Sequence, residues 1–364
     1  MMPLHIYGLG TASPPFSVSQ EHAAAAAAEF GCSGVEHERQ LRALYRLTRV
    51  RTRQSVVLES DDREGPPRQS FFPPAQGQGD RGPTTSARMA RYEADAPDLA
   101  VRSSRAALDA SGRSARDITH VVTVSCTGFV APGFDMALIR HLGLSWDVAR
   151  THVGFMGCHG ALNGLRVAAA YAASRPDACV LVSAVELCTL HYQYGWNPGQ
   201  VVANALFADG SAALVGGSSP DGPGGWVLDA SGSTLLEDST DLMTWRIGDH
   251  GFEMRLSARV PGVIHERLRP WLDEWLAANG VRIDQVASWA IHPGGPRILE
   301  ACAEAIGLPR EACAVSQEVL AEHGNLSSPT ILFILDRLRL RDAPRPCVAI
   351  GFGPGLAVET ALFR

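Results

Sequence analysis

Residues 151–174 read THVGFMGCHGALNGLRVAAAYAAS, and this stretch carries the pattern that decides the fold. A short apolar run comes first, Gly157 and Cys158 follow, and an alanine-rich segment completes the stretch. That order predicts a strand, a tight turn and then a helix. We expect the Cys158 thiol at the helix N-terminus, where the helix dipole favours a thiolate. A buried structural cysteine is the alternative at this position.

The flanking sequence extends the same alternation of strands and helices. ITHVVTVSC (118–126) and ACVLVSAVEL (178–187) are apolar and β-branched, as expected of buried strands. Further predicted elements are a strand at 4–9, an alanine-rich helix ending at Gly31, a loop at 60–85, a long helix over 86–110 and a turn into a strand at 203–217.

The second part of the chain repeats this outline. An amphipathic helix over 260–280 ends at Gly280, and the strand VASWAI follows at 286–291. Cys158 lies 46 positions after Gly112, and Asn325 lies 45 after Gly280 (158 − 112 and 325 − 280). The segment at 218–225 is the clearest break in composition. We therefore predict a duplicated, layered α/β fold with halves at residues 1–220 and 221–364.

Two more polar residues lie where this fold would place catalytic side chains. His292 ends the strand VASWAI and precedes Pro-Gly-Gly, so it should face the crevice beyond the strand ends, although a loop histidine is equally consistent. Asn325 corresponds to Cys158 in the repeat, and its alternative is an N-cap. A pseudo-twofold fold would bring all three residues to its centre. Cysteine with histidine gives an activated thiolate, and asparagine with histidine gives two donors for a developing oxyanion.

Composition excludes several classes of protein. The chain has 364 residues, is 46% hydrophobic and 19% charged, and has a formal net charge of −6, which argues against a nucleic-acid or membrane-surface protein. It contains no lysine, since all 32 basic residues are arginine, so neither a Schiff-base lysine nor a P-loop is present. The eight cysteines form no CxxC pair and the histidines show no metal-site spacing, so we expect no metal site and no disulfide framework. No secretion signal or membrane span is predicted, which favours the cytoplasm.

Four motifs together resemble the type III polyketide synthases, the chalcone-synthase-like enzymes. They are GCHGALNGL (157–165), WAIHPGGPRILE (289–300), EHGNLSSPTILFIL (322–335) and GFGPGLAVET (351–360). The resemblance covers nearly the whole chain and implies a thiolase-like αβαβα fold, a homodimer and a catalytic triad of Cys158, His292 and Asn325. It also implies acyl-CoA and malonyl-CoA as substrates, with no metal, flavin or nicotinamide cofactor.

The implied reaction begins with transfer of an acyl starter from coenzyme A to Cys158. Malonyl-CoA then loses CO2, His292 and Asn325 stabilise the enolate, and a Claisen condensation extends the chain. Cyclisation would release a pyrone or resorcinol product.

The resemblance assigns secondary positions as well. Phe207 matches one of the family's two gatekeeping phenylalanines, and Met254 stands at the other gate. Arg51 and Arg53 align with a basic segment that contacts coenzyme A, although a solvated helix face would also explain them. The residues expected to shape the cavity, with core packing as the alternative, are Cys126, Thr127, His191 and Ser327. For His159, next to the nucleophile, we expect a structural role.

Other functions remain open at this point. A ketoacyl-ACP synthase III or HMG-CoA synthase would keep the fold and perform one condensation. A cysteine thioester hydrolase would also use cysteine, histidine and asparagine. A non-catalytic partner subunit is disfavoured by the intact triad.

Overall fold

The computed structural model describes residues 3–31, 34–62, 65–77, 79–220 and 225–364. In the first half, the described residues form seven strands and six helices. The strands are β1 (Leu4–Ala12), β2 (Ser17–Ser19), β3 (Thr52–Gln54), β4 (His120–Ser125), β5 (Ala149–Gly154), β6 (Cys179–Leu187) and β7 (Asp209–Gly217). The helices are α1 (Gln20–Gly31), α2 (Val35–Leu47), α3 (Thr85–Ser111), α4 (Phe134–Leu142), α5 (Gly160–Ser174) and α6 (Pro198–Leu206).

The second half contributes six strands and four helices among its described residues. The strands are β8 (Val227–Leu235), β9 (Met243–Gly248), β10 (Gly251–Leu256), β11 (Ser288–Ile291), β12 (Cys347–Gly353) and β13 (Ala357–Phe363). The helices are α7 (Val260–Ala278), α8 (Pro296–Ile306), α9 (Ala314–His323) and α10 (Pro329–Leu340).

Nine strands form one hydrogen-bonded sheet whose order repeats between the halves. The order is β11-β12-β13-β8-β1-β7-β6-β4-β5. In the first half β4 and β6 are parallel, and β6, β7 and β1 follow antiparallel. In the second half β11 and β12 are parallel, and β12, β13 and β8 follow antiparallel. The halves meet where β1 pairs with β8, at Leu4 opposite Leu228.

The helices and strands form five layers, in the order helix, strand, helix, strand, helix. Three large hydrophobic clusters lie between them. In the first, α3 packs against β1, β6 and β7. In the second, α5 and α10 lie between the strands of the two halves. In the third, α7 and α8 cover the outer face of β11, β12 and β13. The predicted duplicated αβαβα arrangement is confirmed, and it places the N-termini of α5 and α10 at the centre of the molecule.

Close packing and an ion pair to a buried glutamate fix the central helix α5. A Cβ atom on Gly164 of α5 would lie 2.8 Å from Val124 of β4, so only glycine lets this helix approach the sheet so closely. From the same helix, Arg166 donates to the buried carboxylate of Glu359 on β13. Ser233 of β8 donates to the other oxygen of that carboxylate, at 2.6 Å. These contacts join α5 to the strands of the second half.

Most predicted elements are present, with one clear correction. The segment 203–217 was expected to begin as a turn, but residues up to Leu206 belong to α6. Asn197 caps that helix by accepting from the backbone N–H of Gly199, and Pro198 occupies its first turn. The 60–85 loop holds no strand among its described residues, and α3 begins at its end. In the predicted break at 218–225, residues 221–224 lie outside the described part of the chain.

Candidate active site

The Cys158 turn owes its shape to left-handed backbone conformations. Phe155 and Gly157 have φ angles of 60° and 74°. A Cβ atom at Gly157 would lie 2.6 Å from Cδ of Pro354, so a side chain there would collide as well as strain the backbone. The turn places Cys158, which is 7% exposed, just before the first residue of α5.

The corresponding turn of the second half positions Asn325. Its backbone forms an isolated parallel bridge with Phe207, in which Asn325 N donates to Leu206 O at 2.8 Å and Ala208 N donates to Asn325 O at 2.9 Å. The side-chain oxygen accepts from the backbone N–H of Ser327 at 2.8 Å. The amide nitrogen is therefore left as the group that can donate toward Cys158.

His292 directly follows β11 and is held only through its backbone. Its N–H donates to Ile350 O at 2.8 Å, and its carbonyl accepts from Gly294 N at 3.0 Å. The imidazole is 1% exposed, and neither ring nitrogen has a hydrogen-bond partner among the described residues. Buried polar atoms are normally hydrogen-bonded, so these two nitrogens point to a partner that a ligand would supply.

These three side chains, far apart in sequence, meet at one small cavity of about 30 Å³. Phe207 and Met254, the two predicted gate positions, line the same cavity. Both also line a larger, mainly apolar cavity of about 150 Å³ that reaches Cys158 from another side. The two gate residues therefore lie where the cavities adjoin.

The electrostatics of the site differ from the expectation of a preformed thiolate. Burial raises the pKa of the Cys158 thiol to about 11, although hydrogen bonds from Ser327 and Asn325 favour the charged form. Burial also lowers the pKa of His292 to about 3. Burial thus favours the neutral thiol of Cys158 and the neutral imidazole of His292. The stabilised thiolate stays a prediction, and the burial of Cys158 opposes it.

Glu186 is a polar residue of the site that sequence reasoning missed. It is fully buried on β6 and accepts from Cys126 N at 2.9 Å, Thr127 Oγ1 at 2.7 Å and Ser328 Oγ at 2.6 Å. Burial raises the pKa of this carboxyl group. It ties the end of β4 to the start of α10, beneath Cys158. The signal was a single acidic residue inside an otherwise apolar strand.

The four predicted cavity positions all line the larger cavity, with different surroundings. Cys126 Sγ lies 3.5 Å from Ser327 Oγ, and burial raises the pKa of this thiol well above its ordinary value. The Thr127 hydroxyl donates to the carboxylate of Glu186. His191 Nε2 donates to Thr127 O at 2.7 Å, and its Nδ1 accepts from Phe252 N at 3.0 Å. Burial lowers the pKa of His191 to about 3, so it is a neutral, fixed part of the wall.

The two predicted coenzyme A arginines are placed very differently, and neither lies on a helix. Arg51 is exposed at the surface, with Glu322 3.5 Å away. Arg53, on β3, is only 6% exposed and donates to Asn204 O and Phe207 O at 2.5 and 2.9 Å. The guanidinium of Arg53 holds the backbone of the Phe207 segment, so Arg53 is not a solvated surface residue. Contact of Arg51 and Arg53 with coenzyme A stays a prediction.

His159 turns away from the thiol. Its Nδ1 lies 2.7 Å from Asn163 Oδ1, and its ring packs against Gly353, where a Cβ atom would collide with it. Both contacts are with residues that support the turn, as expected of a structural residue.

Among the described residues, no set of three or more histidine, cysteine or acidic side chains could hold a metal ion. Nor does any helix in the described ranges have the length and apolar character required to cross a membrane. The seven cysteines of these ranges are buried and form no disulfide with one another, and Cys32 lies outside them.

Comparison with known proteins gives matches along the whole length of the chain. The profile of the chalcone and stilbene synthase N-terminal domain matches residues 3–220, and that of the C-terminal domain matches residues 227–364. The α-pyrone synthesis polyketide synthase-like Pks18 of Mycobacterium tuberculosis is 36% identical, covering 98% of this chain and 90% of its own length. The 1,3,6,8-tetrahydroxynaphthalene synthase of Streptomyces peucetius is 38% identical over 73% of this chain and 72% of its own.

A solved structure extends the similarity to three dimensions. The crystal structure of PKS-I from the brown alga Ectocarpus siliculosus superposes with a TM-score of 0.91 at 31% identity, covering 100% of this chain and 98% of the other.

Proposed function

This chain belongs to the chalcone and stilbene synthase family, the type III polyketide synthases, and we propose that it builds a polyketide from an aliphatic acyl-CoA starter and malonyl-CoA. The observation that carries the proposal is the convergence of Cys158, His292 and Asn325 on one cavity, in which the imidazole has no hydrogen-bond partner within the described part of the chain. Single-condensation enzymes and hydrolases are not favoured, since the matches are to polyketide synthases.

The first step is loading of the starter on Cys158. Burial favours the protonated thiol and the neutral imidazole, so in this scheme His292 takes the proton as sulfur attacks the thioester carbonyl. The tetrahedral intermediate collapses with loss of the coenzyme A sulfur. His292 returns the proton to that sulfur, so acyl-S-CoA and the thiol become acyl-S-Cys158 and free coenzyme A.

The second step is decarboxylation of malonyl-CoA and carbon–carbon bond formation. Loss of CO2 leaves a thioester enolate, whose oxygen accepts from an N–H of His292 and from the amide of Asn325. The enolate carbon attacks the acyl carbonyl on Cys158, and the cysteine sulfur leaves as a thiolate, which takes up one proton from solvent to restore the thiol. The product is a 3-oxoacyl-CoA, longer by two carbons, that can return to Cys158.

The apolar walls and the gate residues serve this chemistry by excluding water. A wet site would hydrolyse the Cys158 thioester and protonate the enolate. Phe207 and Met254 separate the small cavity from the large one in this scheme, and the flexible methionine accommodates differently shaped chains. Arg51 remains the proposed contact for the coenzyme A phosphates.

For the product we propose a pyrone or a resorcinol. Relatives are named for an α-pyrone and for a hydroxylated naphthalene, so the family supports more than one ring closure. No cofactor other than the coenzyme A thioesters is needed in this scheme. Since both substrates are coenzyme A thioesters, the proposed compartment is the cytoplasm.

The enzyme is proposed to act as a homodimer through strand β5. This strand ends the nine-stranded sheet and pairs only with β4 among the described residues. Phe129 and Met156, large apolar residues nearby, are 43% and 40% exposed. A twofold axis beside β5 would pair the edge and cover both side chains. Sedimentation or light scattering should give about twice the chain mass, and a monomer would contradict this.

The function is tested with a panel of acyl-CoA starters and ¹³C-labelled malonyl-CoA, followed by mass spectrometry of the products. We expect products that carry two or more labelled two-carbon units and that have lost one CO2 for each unit. A single condensation requiring an acyl carrier protein, or thioester hydrolysis without a new carbon–carbon bond, would overturn the proposal.

A further inference from the structure

The larger cavity continues beyond Cys158 to the N-terminal helix α1. We call this part the α1 limb. It is bounded on one side by α1, at Ala23, Ala27 and Phe30, and on the other by the segment after β3, at Val57, Leu58 and Phe72. Because the same cavity reaches Cys158, a group attached to the sulfur can enter the limb without crossing bulk water.

The α1 wall is smooth because its side chains are small. Ala23, Ala27 and Phe30 are spaced four and three positions apart, so they share one helix face over about 10 Å. Phe30 is the first large side chain on this face and stacks on Tyr194 with ring centroids 5.0 Å apart. It also meets the edge of Phe72 at 6.3 Å. These rings place a bulky group at the end of the alanine face.

Hydrogen bonds to buried groups hold the opposite wall in place. Val56 N donates to Asp209 Oδ2 at 2.9 Å, and Arg91 donates to Val56 O at 2.9 Å. Ser55 Oγ lies 2.6 Å from Thr189 Oγ1. The α1 limb therefore lies between α1 and a segment whose backbone is held by hydrogen bonds.

Another side of the cavity is closed by aromatic rings. Trp245 Nε1 donates to Cys126 O at 2.8 Å, which fixes the indole close to the strand that leads to the site. His191 stacks on Phe252 at 4.1 Å, and Trp245 meets the edge of the same imidazole at 5.5 Å. A long chain attached to Cys158 would be blocked on this side.

We infer that the α1 limb binds the hydrocarbon chain of a straight, saturated acyl starter while its carbonyl is attached to Cys158, an inference that rests on the proposed function. Apolar walls with a straight face favour methylene groups over polar or broad aromatic starters. Ala27 and Phe30 then determine how many methylenes enter.

The test measures kcat/KM for starters from butyryl-CoA to palmitoyl-CoA, with malonyl-CoA at saturation. In the wild-type protein kcat/KM should rise about fourfold for each methylene that is buried, until the limb is full. Ala27→Leu should end this rise at a shorter chain and lower the ratio of long-chain to butyryl activity at least tenfold. Phe30→Leu should move the optimum to longer chains.

Ala28→Leu is the matched control, because Ala28 lies on the same helix and does not line the cavity. The same dependence on chain length in all four proteins would overturn the inference, as would a preference for aromatic starters in the wild-type protein. Failure to extend any starter would instead contradict the proposed function. If Ala27→Leu does not fold, Phe30→Leu alone decides, since its expected shift has the opposite sign.

Discussion

The turn before α5 and the turn before α10 are equivalent in topology but differ in chemistry. The first holds Gly157 and Cys158, and its one reactive side chain is the thiol. The second holds Asn325, Ser327 and Ser328, all 3% exposed or less and all hydrogen-bonded. Each turn contains two residues with positive φ, Phe155 and Gly157 in the first and Gly324 and Ser327 in the second. Duplication thus provides two helix N-termini at one point, one for a nucleophile and one for hydrogen-bond donors.

Removing the nucleophile is the strongest test of this division. Cys158→Ala should reduce product formation by a factor of about 10³ or more, because no thioester can form. Cys302→Ala, a matched change of a buried cysteine on α8 that lines neither cavity, should keep extension near the wild-type rate. The measurement is labelled product by mass spectrometry, with melting temperatures to establish folding. Comparable activity in both variants would refute the assignment of Cys158.

Removing the Asn325 carboxamide from the second turn should slow decarboxylation of malonyl-CoA more than acylation of Cys158. Asn325→Ala should slow malonyl-CoA decarboxylation about 10²- to 10³-fold, the usual cost of losing one oxyanion donor. Acylation of Cys158 should fall only about tenfold, since one hydrogen bond that favours the thiolate is lost. Release of ¹⁴CO2 and single-turnover acylation measure the two steps separately.

Asn279→Ala at the end of α7 is the control for this substitution, because Asn279 lines neither cavity. Equal losses in the two steps would mean that Asn325 serves both halves of the reaction alike.

The smallest expected effect is that of Ser327→Ala on the pH dependence of alkylation at Cys158. Because burial raises the pKa of Cys158 to about 11, alkylation of this thiol by iodoacetamide should increase about tenfold per pH unit from pH 7 to 10. Ser327→Ala removes a hydrogen bond that lowers this pKa, so alkylation at any given pH should become slower. Mass spectrometry of the Cys158 peptide measures the rate. A rate that levels off near pH 7 would show that a thiolate is already present.

The layered fold and the triad could be predicted because they depend on local signals. The turn at Gly157-Cys158, the histidine at the end of β11 and the Asn325 motif are each visible in a few adjacent residues. Asn197 and Pro198 gave an equally local signal for α6, and that signal was overlooked.

Burial could not be predicted in the same way, because it depends on residues that are distant in sequence. Arg53 resembles a surface arginine until Asn204 and Phe207 supply buried carbonyl partners. The raised pKa of Cys158 likewise reflects its enclosure, which no local pattern encodes. Glu186 was passed over because its partners come from β4 and α10.

The parallel bridge between Phe207 and Asn325 has a consequence for divergence. It is made by main-chain atoms alone, so it does not depend on which side chain occupies position 207. Substitutions at position 207 can therefore widen or narrow the opening between the two cavities while the Asn325 carboxamide keeps its position. A lineage built on this scaffold is free to change its products without rebuilding the machinery that makes carbon–carbon bonds.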